Sequence, residues 1–141
     1  MHHQLDDCIF CQIAQGNAPA SKIHEDELTL TMLDIFPATP GHVLIISKAH
    51  FDDIFTASPQ VLAQIAINSS KIAKALQAVT QADGLGIYQL NKAAAGQTVF
   101  HYHMHLIPQF TNQNIGIHSK QAADPQQLEA MAQQLRQALN E

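Results

Sequence analysis

Residues 100–108 read Phe100-His101-Tyr102-His103-Met104-His105-Leu106-Ile107-Pro108. Three histidines occupy alternate positions, and alternate side chains of a β-strand point to the same face, so we expect a strand with all three imidazoles on one side. Neighbouring imidazoles, about 7 Å apart, can share one small substrate group, whereas the outer two lie about 13 Å apart and cannot easily share one atom. The pattern favours the handling of a bound group over a metal cage, with a two-histidine metal chelate as the alternative.

The overall composition is that of an ordinary globular domain. The 141 residues are 46% hydrophobic, lack tryptophan and carry a formal net charge of −5. This length predicts one domain over residues 1–141 with a single core. A chain without a basic stripe is not expected to bind nucleic acid. Since no apolar run is long enough to cross a bilayer and the N-terminus lacks the order of a signal peptide, we expect a cytoplasmic protein without a membrane partner.

The only two cysteines, Cys8 and Cys11, are separated by two residues. In a reducing compartment this spacing indicates either a redox dithiol or half of a zinc site. Zinc is favoured, because a thioredoxin-like motif would follow a strand and none is predicted before Cys8. Structural zinc is normally four-coordinate, so two further ligands are needed. The candidates are His24, His42, His50, His118 and one histidine of the triplet.

The hydrophobic periodicity predicts an α+β fold with a five-stranded antiparallel sheet and two principal helices. The predicted strands cover residues 22–24, 28–33, 42–47, 86–90 and 98–107. The predicted helical segments are a short turn at 8–15, a long helix from Ser58-Pro59 to about residue 83, and a C-terminal helix at about 125–140. Proline and glycine clusters separate these elements.

His103 is the best candidate for a nucleophile. A histidine that attacks phosphorus must be neutral, accessible at one nitrogen and held in one tautomer by a partner on the other. His103 is central, so His101 or His105 can donate a hydrogen bond to a phosphate oxygen or to the leaving group. Attack would form a phosphohistidine-type intermediate that water then hydrolyses. General-base catalysis by His103 requires the same residues and remains an alternative.

A turn formed by Gly96, Gln97 and Thr98 comes just before the histidine triplet. The glycine allows the backbone to approach an anion, and the two side chains are neutral donors. Asn91 can add another donor from the same loop. These residues are therefore candidates to bind phosphate.

Asp34 ends the second predicted strand in apolar surroundings. Such a carboxylate can bind the hydroxyls of a ribose. It can equally cap its own turn by accepting a hydrogen bond from the backbone. The local sequence favours neither role.

Four segments together resemble the histidine triad (HIT) family, and the match runs from about residue 8 to residue 108. They are Cys8-Ile9-Phe10-Cys11-Gln12-Ile13, Leu33-Asp34-Ile35-Phe36-Pro37, Pro40 to His50, and Ala95 to His105. The resemblance implies a homodimer whose sheets join across a two-fold axis. It also implies a phosphoramidase-like hydrolase, with nucleotidyl transfer also possible. The reaction would occur at the α-phosphate of purine nucleotide substrates, namely nucleoside phosphoramidates, acyl adenylates or dinucleotides.

The resemblance assigns roles to individual residues. His103 is the nucleophile, with His101 and His105 as its flanking partners. The contacts to the phosphate and leaving group fall on Asn91, Gly96, Gln97 and Thr98, with Gln97 also among the catalytic residues. Asp34 is expected to bind the ribose, and Phe10 and Ile35 to line the base pocket. In bacterial relatives with zinc, the metal ligands correspond to Cys8, Cys11, His50 and His101.

One departure from the family pattern affects the phosphate loop. The family's Asn-Asn-Gly corresponds here to Leu90-Asn91-Lys92, so one donor and a flexible glycine are missing. This motivates a second hypothesis, a nucleotide-binding regulatory module with little or no catalytic activity. A third is a hydrolase that uses zinc to activate water, which requires an open coordination position.

Overall fold

The computed structural model describes residues 4–113 and 121–140. Three α-helices cover Ile9–Gln15 (α1), Pro59–Thr80 (α2) and Pro125–Leu139 (α3). Five strands cover Lys22–Glu25 (β1), Thr29–Leu33 (β2), Val43–Ser47 (β3), Gly84–Tyr88 (β4) and His103–Gln109 (β5). A short 3-10 helix covers Ala93–Ala95. None of the helices within the described residues has the length and apolar character needed to cross a membrane.

The strands form one antiparallel sheet in the order β1-β2-β3-β5-β4. The predicted α+β class and the five-stranded antiparallel sheet are therefore confirmed. The long helices begin as predicted, because Ser58 and Asp124 each accept a hydrogen bond from a backbone N–H of the first turn and are followed by proline.

The two faces of the sheet are covered differently. Helices α2 and α3 pack on the face that carries Val43, Ile45 and Leu106. The opposite face carries Leu44 and Ile46 and is covered near the N-terminus by α1. In the β3–β5 register His105 lies opposite Leu44 and His103 opposite Ile46, and paired residues of neighbouring strands share a face. The two histidines therefore point away from the long helices and toward α1.

Strand β5 begins later than predicted. The expected strand at 98–107 would have included all three histidines, but the ladder starts at His103 and leaves His101 in an irregular segment. The reason is that β3 ends at Ser47, so the backbone before Tyr102 has no strand beside it to continue the pairing. His101 instead sits beside the end of β3, where its ring nitrogen contacts the Ser47 carbonyl. The prediction that all three histidines lie within one strand was therefore wrong. Likewise β4 covers Gly84–Tyr88 rather than 86–90.

Candidate active site and metal centre

A cavity of about 560 Å³ lies between α1, the end of β2 and the beginning of β5. This volume is within the range of small-molecule sites, about 300–1,000 Å³. Most of the lining is apolar, and its polar side chains are Asp34, Thr98, His103 and His105. Six of the predicted nucleotide-binding residues line it, namely Phe10, Asp34, Ile35, Thr98, His103 and His105.

His103 is held in a defined tautomer at the wall of this cavity. Its Nδ1–H donates a hydrogen bond of 2.6 Å to the backbone carbonyl of His101. In the neutral ring the proton is then on Nδ1, so Nε2 carries the lone pair. The side chain is buried apart from its exposure to the cavity. This is the arrangement required of an attacking imidazole.

The tautomer of His105 is set by His42. The backbone N–H of Ala38 donates to Nδ1 of His42, so the proton of a neutral His42 ring is on Nε2. That nitrogen lies 2.9 Å from Nδ1 of His105 and 3.4 Å from a carboxylate oxygen of Asp34. If His42 donates to His105, the proton of His105 is on Nε2. His105 is then a donor beside His103, since the two rings are 5.0 Å apart.

A separate cluster is formed by four residues that do not line the cavity, namely Cys8, Cys11, His50 and His101. One ligand atom from each residue lies within 4.8 Å of all the others. Nδ1 of His101 is 3.3 Å from the Cys8 sulfur and 3.5 Å from the Cys11 sulfur, and Nδ1 of His50 is 3.3 Å from the Cys11 sulfur. A tetrahedral zinc with sulfur and nitrogen ligands has edges of about 3.3–3.8 Å. The donor set and its spacing therefore fit zinc.

Both histidines of the cluster are oriented by a partner on their other nitrogen. Nε2–H of His101 donates to the Ser47 carbonyl at 2.6 Å. Nε2 of His50 lies 2.8 Å from a carboxylate oxygen of Asp52. Such partners fix which imidazole nitrogen binds a metal. In each ring the nitrogen left for a metal is Nδ1, which is the one that faces the sulfurs.

Burial shifts the pKa of two residues of the cluster, His101 and Cys11. It lowers the pKa of His101 to about 4, which keeps the imidazole neutral and able to ligate at physiological pH. It also raises the pKa of the Cys11 thiol to about 11, so a thiolate at that position requires a cation to stabilise it. Four protein donors leave no open position on a tetrahedral ion, which disfavours the zinc hydrolase hypothesis.

The remaining histidine candidates for the metal lie elsewhere. His42 belongs to the pair with His105, and Nε2 of His24 lies 3.7 Å from a carboxylate oxygen of Asp26. His118 lies outside the described residues.

The structure does not bring Asn91, Gly96 and Gln97 to the cavity wall. The loop folds back against the segment after His50. There the Asn91 side-chain oxygen accepts from the Ile54 N–H at 2.7 Å, and the Gln97 amide donates to the Asp52 carbonyl at 2.6 Å. Gly96 has a φ of 102°, a conformation that favours glycine, and it ends the 3-10 helix. These side chains therefore stabilise the loop, and Thr98 is the residue of the turn that lines the cavity.

Sequence reasoning missed much of the apolar lining and the groups that orient the histidines. Ile9 and Ile13 line the cavity together with the following Ala18-Pro19-Ala20 segment, although Phe10 and Ile35 are the apolar residues predicted to line the base pocket. The sequence signal for this lining was the four-residue spacing of Ile9 and Ile13, which places both on one face of the short helix α1. Asp52 could have been found from its position two residues after His50.

Comparisons with family models, with curated proteins and with solved structures all find histidine triad proteins. The model of the family described as HIT domain matches residues 15–112. Protein hit of Bacillus subtilis (strain 168) is 40% identical over 108 residues, which cover 77% of this chain and 74% of that protein. Adenylylsulfatase HINT3 of Arabidopsis thaliana is 39% identical over 103 residues, which cover 73% of this chain and 52% of the plant protein. The crystal structure of a Zn-bound histidine triad family protein from Mycobacterium smegmatis has a TM-score of 0.84 and 38% identity, covering 95% of this chain and 94% of that chain.

Proposed function

This chain belongs to the histidine triad family, and we propose that it is a nucleotide hydrolase in which Nε2 of His103 attacks the α-phosphorus of a purine nucleotide derivative. The observation that carries this proposal is the hydrogen bond from Nδ1–H of His103 to the His101 carbonyl, at the wall of a cavity large enough for a nucleotide. It leaves the lone pair on the nitrogen that would form the bond to phosphorus.

The proposed reaction has two steps. The bond from Nε2 to phosphorus forms while the bond from phosphorus to the leaving group breaks, and the leaving group takes a proton from solvent water. Nε2–H of His105, in the tautomer that His42 favours, is suited to donate a hydrogen bond to a phosphate oxygen during this step. Water then attacks the nucleotidyl-histidine and loses a proton to solvent, which releases the nucleoside monophosphate and restores the neutral His103 ring.

The chemistry of the cavity indicates a substrate class. Its apolar walls suit a purine base. Asp34 lines the cavity and caps its own turn, since its Oδ1 accepts a hydrogen bond from the Phe36 N–H at 2.8 Å, and its carboxylate has further acceptor capacity for ribose hydroxyls. No lysine or arginine is among the described residues that line it. Neutral donors best suit a singly charged α-phosphate, as in phosphoramidates, acyl adenylates and dinucleotides. The relative named adenylylsulfatase adds adenylyl sulfate to the compounds worth testing.

The stereochemical course of hydrolysis tests the proposed intermediate. With a nucleoside phosphoramidate that is chiral at phosphorus, two successive displacements at His103 are expected to give retention of configuration. Alkaline quenching during turnover is expected to leave a nucleotidyl group on the peptide that contains His103. Inversion without any labelled peptide would instead indicate direct attack by water, with His103 as a general base.

A regulatory module with little or no catalysis is the second candidate function. It is favoured by the loop, where Lys92 has a φ of 79° that normally favours glycine and pairs with Asp53 at 2.7 Å. The backbone N–H of Lys92 donates to Gln97, which holds that amide away from the cavity. Multiple turnovers by the unmodified protein would exclude this candidate.

We also propose that Cys8, Cys11, His50 and His101 bind a structural zinc ion. The support is that one ligand atom from each residue lies within 4.8 Å of all the others and that the Cys11 thiol is buried. The ion would hold the N-terminal segment against the end of β3 and the segment before β5, and it would take no part in the chemistry at phosphorus.

We further propose a homodimer in which two sheets join along β4. Gly84–Tyr88 is an edge strand without the charged residues or proline that protect exposed edges. Ile87 in this strand is 51% exposed. Ile87→Lys is therefore expected to produce monomers in sedimentation experiments. Ile67→Lys, on the exposed face of α2, is the matched control and should remain dimeric. A monomeric wild-type protein at micromolar concentration would contradict the proposal.

A further inference from the structure

We infer that the metal centre and the nucleotide cavity are energetically coupled through α1, with Phe10 as the positioning residue that connects them. Zinc binding would strengthen nucleotide binding, and nucleotide binding would strengthen zinc binding by the same factor. This inference rests on the proposed function, because it requires a nucleotide in the cavity.

Helix α1 serves both sites at once. It spans only Ile9–Gln15, which is too short to be stable on its own. Cys8 caps it and Cys11 lies within it, so both sulfur ligands of the metal cluster belong to this element. The same helix supplies Ile9, Phe10 and Ile13 to the cavity wall. Any change in how the metal holds α1 therefore moves the wall of the nucleotide site.

Phe10 lies between the two sites. Its ring makes an edge contact with His101, with centroids 5.7 Å apart, and another with His103, with centroids 5.1 Å apart. One contact is to a metal ligand and the other is to the proposed nucleophile. Because packed side chains resist small displacements, the ring links the position of one imidazole to that of the other.

His101 provides a second connection. Its ring nitrogen faces the sulfurs of Cys8 and Cys11, while its backbone carbonyl accepts the hydrogen bond from Nδ1–H of His103. A metal bound to the ring fixes the residue whose carbonyl sets the tautomer of the nucleophile. Without the metal, the contacts that hold α1 in place are the apolar packing of Phe10 and Ile13 against the sheet and weak thiol–imidazole contacts, which are softer than metal–ligand bonds. The population with a fully formed cavity is then expected to fall.

The coupling can be measured in both directions on the full chain. Titration calorimetry with AMP is expected to give a dissociation constant about 5–50-fold higher for chelator-stripped protein than for zinc-loaded protein, within the usual range of coupling between sites. Saturating AMP is expected to slow the release of zinc from loaded protein to a chromophoric chelator. This second measurement starts from folded, loaded protein, so it gives an answer even where the stripped protein unfolds.

Two variants separate coupling from general destabilisation. Phe10→Leu keeps all four metal ligands, and it should bind one zinc per chain while the effect of AMP on zinc release largely disappears. Asn68→Ala is the control, because Asn68 bonds to Asp26 and Thr29 on the far side of the sheet. It should lower thermal stability and retain the coupling.

The outcomes distinguish this inference from the proposed function. Equal AMP affinity with and without zinc, together with unchanged zinc release, would overturn the coupling even if turnover is normal. Full coupling in Phe10→Leu would overturn the role of Phe10. Coupled binding without any turnover would overturn only the hydrolase, and failure of AMP to bind either form would overturn both.

Discussion

His103→Ala is expected to lower the turnover of a nucleoside phosphoramidate by at least about 10⁴-fold, the scale seen when a nucleophile is removed from a catalytic unit. The reason is that Nε2 of His103 is the atom proposed to form the bond to phosphorus, and alanine leaves nothing to replace it. The dissociation constant for AMP should change by less than about tenfold, because most of the cavity wall is contributed by other residues. Single-turnover kinetics and calorimetry measure the two effects separately.

The matched control for this change is His24→Ala. His24 lies on β1 beside Asp26, and it does not line the cavity. It should leave both turnover and AMP affinity near their wild-type values. Turnover by His103→Ala within about tenfold of the wild type would refute the assignment of the nucleophile. Equal losses in both variants would show that the assay reports stability rather than chemistry.

The sequence contained enough information to predict the fold and the face on which the site lies. Alternation in β3 and β5 is a local property, and it determines which side chains share a face once the two strands pair. His103 and His105 therefore point to one side, as expected, and the caps at Ser58 and Asp124 locate the long helices. The family resemblance added the grouping of Cys8 and Cys11 with two distant histidines, which no local pattern specifies.

What the sequence could not predict depends on contacts between segments that are far apart in the chain. Whether the Asn91 and Gln97 amides face a ligand or the backbone after His50 is decided by how the loop folds back. The start of β5 depends on where β3 ends, because a strand continues only while it has a partner. The His42–His105 pair likewise results from the register of two strands and cannot be deduced from either strand alone.

Cys8→Ser is expected to reduce bound zinc from about one ion per chain to a small fraction, measured by elemental analysis of the purified protein. The Cys8 sulfur is 3.3 Å from Nδ1 of His101, and a serine hydroxyl is a much poorer ligand than a thiolate. Zinc present at 1,000 times its dissociation constant stabilises the folded state by about 4 kcal/mol. In a domain of this size the loss lowers Tm by about 10–15 °C.

The decisive comparison is between the variant and chelator-treated wild type. If the cluster holds the ion that stabilises the fold, both should have the same Tm, and chelator should not lower the Tm of Cys8→Ser further. Asp52→Asn keeps all four ligands and removes only the carboxylate at His50, so its zinc affinity should fall by about 10–100-fold and its Tm should lie between those of the zinc-loaded wild type and Cys8→Ser. The assignment of these zinc ligands would be contradicted if Cys8→Ser retained zinc, or if chelator lowered its Tm as much as it lowers that of the wild type. Because His103 is not among the four proposed zinc ligands and saturating substrate offsets weaker binding, the folded fraction of Cys8→Ser should still turn over saturating substrate. If the ion instead activated water, nearly all turnover should be lost together with the ion.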